Sequence, residues 1–431
     1  MKPASQILRN ITIRTKRLGG WKAGKSGGLP AFFSLGVGNM RIINLDHISA
    51  NPILPEIKDV MIEAIEKDYA NPSSQHTSGE QAAEVLVKAR KSVAKLINCA
   101  MAKEIVFTSG GTESINHAIK GVALANANKG KHIITSNIEH NAVIRSIRRL
   151  KSAGYKVTSI SVDNQGRVNP QDVAEAITDE TILVSIMHSN NETGTIQPIE
   201  EIGKITREKK IVFHSDAVDS VGVVPIDVQK LGVDLLSFAS NTFYGPAGVG
   251  GLYVRRGTRV FPLLDGGVQE HNKRAGAENL IGIIGMGKAA QLARQDMDKR
   301  IAHVKGIKEK ILTQLPDYID EYIINTHPKY SLHNLISISL KYIEGESVML
   351  MLDDENIAVS TRSACATGSL RASHVLMSLG LNHADAQGTL VISFGVDNTK
   401  EDVDKFLAAL KNAVTTLRDI SPLYNKISQA N

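Results

Sequence analysis

Residues 182–216 read ILVSIMHSNNETGTIQPIEEIGKITREKKIVFHSD. The stretch opens on an apolar run, ILVSIMH, and closes on a second, KIVFHSD, with an amphipathic segment over 197–210 between them. That order predicts strand, helix, strand, and the pattern recurs outward in both directions. Before it come EIVFTS at 104–109, an amphipathic stretch at 114–126 and HIITSN at 132–137; after it come LLSFAS at 235–240 and GGLYV at 250–254. Short apolar runs alternating with helical stretches from residue 100 to 300 indicate an α/β fold, a mainly parallel sheet with helices on both faces. Ligands in such folds bind beyond the carboxyl ends of the strands. The residues that follow each run are therefore the first candidates for a site.

Residues 295–315 read as a long charged helix leaving this layer. Beyond it, strands (LISISL, AVST, LVISFG) mix with helices near 346–353, 371–379 and 400–417, which predicts a second, smaller α+β domain over 301–431 after a large one over 61–300. No internal repeat or low-complexity tract is visible.

A chain of 431 residues is long enough for two domains and a large buried core. Hydrophobic content of 42% with 22% charge fits a soluble globular protein. No run of eighteen apolar residues exists, so no membrane span is expected. Cys99 and Cys365 are the only cysteines. Two thiols exclude a disulfide framework and a cysteine-rich metal site, and they fit a reducing, cytoplasmic compartment. The net charge of +6 is misleading, because residues 1–45 hold eight Lys/Arg and no acid, which leaves −2 for the remainder. A nucleic-acid-binding function loses its main support.

Residues 1–40 are basic, acid-free and glycine-punctuated, and are expected to be disordered. Three readings stay open: a transit peptide with Ile7, Leu8 and Ile11 on one helical face, a plain tail, or an upstream start with Met40 as the working one. Gly19–Ser26, GGWKAGKS, matches the phosphate-loop pattern GxxxxGK[ST]. It lacks the buried strand before it and the helix after it that the motif needs, so the match is read as chance.

Other motifs carry chemistry. Asn71-Pro72-Ser73-Ser74 is followed by His76. Phe107–Ser114, FTSGGTES, follows a strand; its glycines, Gly111 among them, let backbone approach a phosphate, the helix start favours an anion, and Thr112 adds a hydroxyl. His140 lies in SNIEHNAV, Asn191 in SNNETGTIQPI and Asp216 in FHSDAVDS. Residues 237–254 read SFASNTFYGPAGVGGLYV, and Thr361–Ser369 read TRSACATGS around Cys365. On these segments the chain, from about Arg41 to about Leu417, resembles the cysteine desulfurases (NifS/IscS-like) of aminotransferase class V.

The resemblance implies the type I aminotransferase fold of pyridoxal phosphate (PLP) enzymes, a homodimer with sites at the subunit interface, and residues 41–60 placed against the small domain. It gives His140 the stacking position on the pyridine ring and Asn191 the place beside the phenolic oxygen. Asp216 takes the position that keeps the ring nitrogen protonated, which makes PLP an electron sink. It assigns Cys365 the nucleophilic thiol that becomes a persulfide.

Against the same pattern, six positions depart. Thr242 stands where the family has the lysine that binds PLP. Asn241 replaces a histidine and Ala239 a serine at phosphate contacts, and Ala277 replaces a threonine that reaches the phosphate from the other subunit. Asp219 replaces a glutamine that donates to the phenolic oxygen, and Val391 replaces the arginine that clamps the substrate carboxylate. A hydrogen bond to a charged group is worth about 1.5–3 kcal/mol, so these losses with that of the covalent link cost many orders of magnitude in affinity. Meanwhile the Cys365 loop keeps its small residues, and Arg362 adds a positive charge three residues from the thiol, a placement that lowers a thiol pKa. Cys99, on an apolar helical pattern, reads as core.

The leading expectation is a desulfurase-like protein of sulfur transfer and iron–sulfur cluster assembly without PLP catalysis. In it Cys365 acts as persulfide acceptor or relay, or as a ligand lent to a cluster on a scaffold or sulfur-acceptor partner. The alternatives are a non-catalytic subunit of an active paralogue, a new ligand in a pocket of Asp216, Asp219, His140, Asn241 and Thr242 that does acid–base work or holds a metal, and an active PLP enzyme with an atypical site.

Overall fold

A computed structural model describes residues 41–361, 372–422 and 424. The expectations for residues 1–40, the GGWKAGKS stretch and the Cys365 loop lie outside them.

The alternating runs form a seven-stranded sheet. Its strands are β2 (Ile105–Thr108), β3 (His132–Ser136), β4 (Lys156–Ile160), β5 (Thr181–Ser185), β6 (Val212–Asp216), β7 (Leu235–Ala239) and β8 (Gly250–Val254), after a short β1 (Ile43–Asn44) elsewhere. Their order is β2-β8-β7-β6-β5-β3-β4. The five inner-to-edge strands β7, β6, β5, β3 and β4 run parallel, whereas β8 is antiparallel to both β7 and β2.

Alternate residues of each strand serve opposite faces. Ile105, Phe107, Ile134, Val184, Leu236 and Phe238 join one apolar cluster, and Val106, Ile133, Leu183 and Leu235 join another. A sheet buried on both sides needs apolar residues on both parities, which is why these runs are continuous rather than alternating. The second face is covered by α3 (Gly111–Ala125) and α4 (Asn141–Ser152), which pack on each other. The first is backed by α2 (Thr77–Leu96), which follows α1 (Pro55–Lys67). Crossovers α5 (Pro170–Ala176) and α6 (Ile199–Glu208) return the chain to β5 and β6.

The charged helix expected over 295–315 is α7, Leu280–Tyr318, 39 residues or about 58 Å long. Its first half begins on an apolar run and buries Ile283, Met286, Ala289, Ala290 and Ala293 in the large cluster. Gly287 allows close approach to α2, since a Cβ there would lie 2.7 Å from the Cα of Ala89. Its second half buries Val304, Ile307, Ile311 and Leu315 in a separate cluster. That cluster also takes residues of α8 (Gly345–Asp354) and α10 (Lys400–Asp419), with Ile43 and Leu45. The sheet there is antiparallel, β12-β10-β9, from β9 (Tyr322–Ile324), β10 (Leu335–Leu340) and β12 (Thr389–Ser393). β11 (Ile357–Ala358) pairs in parallel with β1. The helix foreseen at 371–379 is α9, His374–Ser378.

Two strands also depart from the sequence expectation. β4 was not foreseen: KVTSI is an edge strand whose Lys156 and Ser159 face solvent, so it has no apolar run. AVST contributes only the two-residue β11. Among the described residues, no helix is long and apolar enough to cross a membrane.

Candidate functional site

Five strand ends converge on one cavity of about 310 Å³. Gly111 and Thr112 follow β2, His140 follows β3, Asn191 follows β5, Asp216 closes β6 with Asp219 just after it, and Ala239, Asn241 and Thr242 end or follow β7. Ile48 and Ser49, from the segment after β1, complete part of the wall. The structure therefore brings together all eight pocket residues expected from the sequence.

Each wall has a local cause. Gly110 precedes α3 at φ 148°, and a Cβ on Gly111 would lie 2.5 Å from the Val218 side chain, so glycine lets the helix start approach the segment after β6 this closely. Glu113 accepts the Ser109 amide at 2.7 Å and pairs with Arg274 at 2.9 Å. Burial pushes the Glu113 carboxyl up, but these partners hold it below the ordinary range. His140 is the N-cap of α4: its Nδ1 accepts the Ala142 amide at 3.1 Å, which leaves Nε2 as the ring's donor in the neutral form.

Asn191 owes its place to its neighbour. The Asn190 side chain accepts the amides of Glu192 and Thr193 at 2.8 and 3.0 Å and donates to the Ile138 carbonyl at 2.9 Å. This buried asparagine folds the loop, and the next residue is turned to the cavity.

Asp216 is 5% exposed. Its Oδ1 accepts the Val218 amide at 3.0 Å. Burial pushes its carboxyl up to about 6. No Lys or Arg forms an ion pair with it among the described residues. Beneath the cavity, His188 and His214 are buried against serine hydroxyls, Ser220 at 2.8 Å and Ser185 and Ser237 both at 2.9 Å. Burial lowers them to about 4 and about 3, so both are neutral.

Residues 240–243 make a single 3-10 turn closed by Tyr244 at φ 72°. In it Thr242 is 8% exposed, and its hydroxyl donates to the Ala239 carbonyl at 2.9 Å. Position 242 thus offers the cavity neither an amine nor an uncommitted proton.

Two positions singled out from the sequence do not line the cavity. Val391 is buried in β12, opposite Ser337 of β10 and bridged to Ser360. Ala277 is exposed and lines a separate, smaller cavity of about 80 Å³ with Thr108 and Arg274. No group of three His, Cys, Asp or Glu is placed to hold a metal among the described residues, so the metal form of the new-ligand reading finds no ligand set there. Cys99 is half-buried rather than deep core. Its thiol contacts the Met101 carbonyl at 3.1 Å and Glu104 at 3.3 Å, and burial pushes it up to about 12, which keeps it protonated and unreactive.

Sequence reasoning missed Asn51 and Glu139. The Asn51 amide donates to the carbonyls of Asn241 and Thr242. Glu139 is fully buried, accepts Ser136 Oγ at 2.6 Å and the Met187 amide at 3.0 Å, and is pushed up to about 8 by burial. It ties the end of β3 to the residues after β5, one position before His140. The only sequence signal was its place beside His140.

The aminotransferase class-V family profile matches residues 43–406. The cysteine desulfurase IscS of Dictyoglomus turgidum is 46% identical over 382 residues, 89% of this chain and 97% of that protein. IscS of Methanosarcina thermophila is 44% identical over 386 residues, covering 90% and 95%. Among solved structures, a NifS-like protein superposes with a TM-score of 0.82 at 34% identity, over 88% of this chain and 100% of that one. The apo cysteine desulfurase of Thermococcus onnurineus NA1 superposes with a TM-score of 0.77 at 26% identity, over 87% and 95%. With the motifs in order along the strand ends and the match spanning both sheets, the chain belongs to aminotransferase class V, in the NifS/IscS-like cysteine desulfurase family.

Proposed function

We propose that this chain is a sulfur-transfer protein of iron–sulfur cluster assembly that works through the Cys365 thiol and without PLP catalysis. One observation carries the reading: the described residues lining the cavity include two carboxylates, Asp216 and Asp219, and no Lys or Arg, with the Thr242 hydroxyl turned onto Ala239. The family's cofactor brings a phosphate dianion and an aldehyde that needs an amine; when bound, it supplies an electron sink. The described residues do not fit it. Among them there is no amine at 242, no cation for the phosphate, and a second carboxylate where a hydrogen-bond donor is required.

The names of the relatives support the sulfur side. The transfer needs no cofactor. The Cys365 thiolate attacks the outer sulfur of a persulfide on a donor, the donor's S–S bond breaks, and the donor leaves as a thiolate, with no net oxidation. A thiol of an iron–sulfur scaffold or another sulfur-acceptor protein then takes the sulfur in the same way. The working form is a homodimer. The same soft thiolate suits ligation of a cluster on the scaffold.

The test uses the full chain with glutathione persulfide as donor, read by intact mass and peptide mapping. Wild type is expected to gain one sulfur at Cys365 and to pass it to a thiol acceptor, and Cys365→Ser to do neither. Equal uptake and transfer by both proteins overturns the role of Cys365. Sulfide release from free cysteine in the presence of added PLP, above a protein-free control, overturns the absence of PLP catalysis.

A further inference from the structure

Away from the strand-end cavity, the second half of α7 carries an amine with an unexpected set of neighbours. Lys308 Nζ donates to the Leu332 carbonyl at 2.7 Å and to Ser331 Oγ at 3.1 Å. Among the described residues no carboxylate pairs with it, and the charged group nearby is another cation, Lys305, which with Lys308 holds the half-buried His333 down. Two acceptors and no anion suit a neutral amine: both N–H bonds are used and the lone pair is left over. An ammonium there has a third N–H and a charge that find no partner among the described residues, which is costly in a half-buried place. Burial pushes Lys308 down to about 8, whereas Lys67 and Lys341, each beside a glutamate, are shifted upward. At neutral pH roughly a tenth of Lys308 is therefore free base, against less than roughly a thousandth for an amine at the ordinary 10.5.

The two acceptors belong to a segment that clasps a loop of the cavity. Ser331 bridges to Thr195. The Ile196 amide donates to the Tyr330 carbonyl at 2.8 Å, and the Leu332 amide to the Gly194 carbonyl at 2.9 Å. The Gly194 amide in turn donates to the carbonyl of Asn190 at 2.8 Å, one residue before the cavity-lining Asn191.

We propose that Lys308 is an acylation site, taking a small acyl group from an acyl phosphate, and that the modification loosens the loop that places Asn191. The amine lone pair attacks the carbonyl carbon, the C–O bond to the phosphate breaks, phosphate leaves with that electron pair, and the nitrogen gives a proton to solvent. The amide that forms has one N–H where the amine used two, so Ser331 or Leu332 loses its donor. Both residues are buried, so an oxygen left without one is destabilising. This site is independent of the Cys365 chemistry.

Acetyl phosphate at a limiting dose on the full-length protein, read by peptide mapping, tests it. At neutral pH Lys308 is expected to acetylate at least about fivefold faster than the exposed Lys58 and Lys88. Its rate is expected to level off above about 8, while theirs keeps climbing. Hydrogen exchange of residues 190–196 is expected to quicken at least about threefold in the acetylated protein and in Lys308→Gln, and to stay as in wild type in Lys308→Arg, which keeps donors for both oxygens. Acetylation of Lys308 no faster than that of Lys58 and Lys88, or climbing with pH as theirs does, overturns the site. Unmoved exchange of 190–196 in the acetylated protein overturns the coupling to the loop, and that arm uses the wild-type chain, so it holds even where a variant does not fold.

Discussion

The side-chain amide of Asn51 donates to the backbone carbonyl of Thr242 at 3.1 Å, across 191 positions of sequence. The same nitrogen reaches the carbonyls of Asn241 and His47, both at 3.0 Å, so Oδ1 is turned to His47 Nδ1, 2.8 Å away. The turn at 240–243 is therefore held from the segment after β1. Asn51→Ala strands these carbonyls, and it is expected to cost about 1–3 kcal/mol. A lower urea midpoint with an unchanged slope is the result that checks it.

Arg90 of α2 and Glu270 form a bidentate pair, 2.6 and 2.7 Å, with both side chains buried. Glu270 also accepts the Phe107 amide at 2.8 Å, just before the turn into α3. Arg90→Met removes the charge and leaves a buried carboxylate. The expected loss is about 3–5 kcal/mol, and chemical denaturation reads it directly.

Glu139 supplies a pH dependence with a definite sign. The unfolded chain releases this proton from about 4.5 upward, whereas burial keeps it on the folded protein to about 8. The group's contribution to stability is therefore full below the lower value and lost as pH rises through the upper one. Glu139→Gln keeps an oxygen for Ser136 and Met187 and has no such proton. Relative to wild type it is expected to gain stability across this window, by up to about 1.4 kcal/mol per pH unit. Parallel urea curves at the two ends of the window measure it.

Thr242→Lys puts an ammonium back beside Asp216, at the loss of the hydroxyl bond to Ala239. Absorbance titration is expected to show PLP binding by this variant and none by wild type. Cysteine turnover is expected to stay at background, because no arginine among the described lining residues can clamp a substrate carboxylate.

The sheet was legible because burial on both faces makes a strand one unbroken apolar word, as in ILVSIMH and LLSFAS. KVTSI was illegible for the opposite reason, since the edge strand it forms shows polar residues to water. The first half of α7 was read short because the stretch from Gly285 to Ala293, mostly glycine, alanine and other apolar residues, holds a single charge, Lys288. In the site, Gly111, His140, Asn191 and Asp216 were visible through the segments that hold them at strand ends. Asn51, Asn190 and Glu139 were not, because each acts on backbone that only folding brings near. Val391 shows the converse: its place in the sequence pattern is clear, yet its side chain is buried in the small sheet and not in the cavity wall.

A single rod anchored in two separate oily masses leaves neither mass free to melt alone. If the small sheet let go, the second half of α7 would lose Val304, Ile307, Ile311 and Leu315 from shelter and stand as a bare spike in water. Calorimetry should then show one endotherm rather than two, and a protease should find no early cut in the stretch that joins the halves.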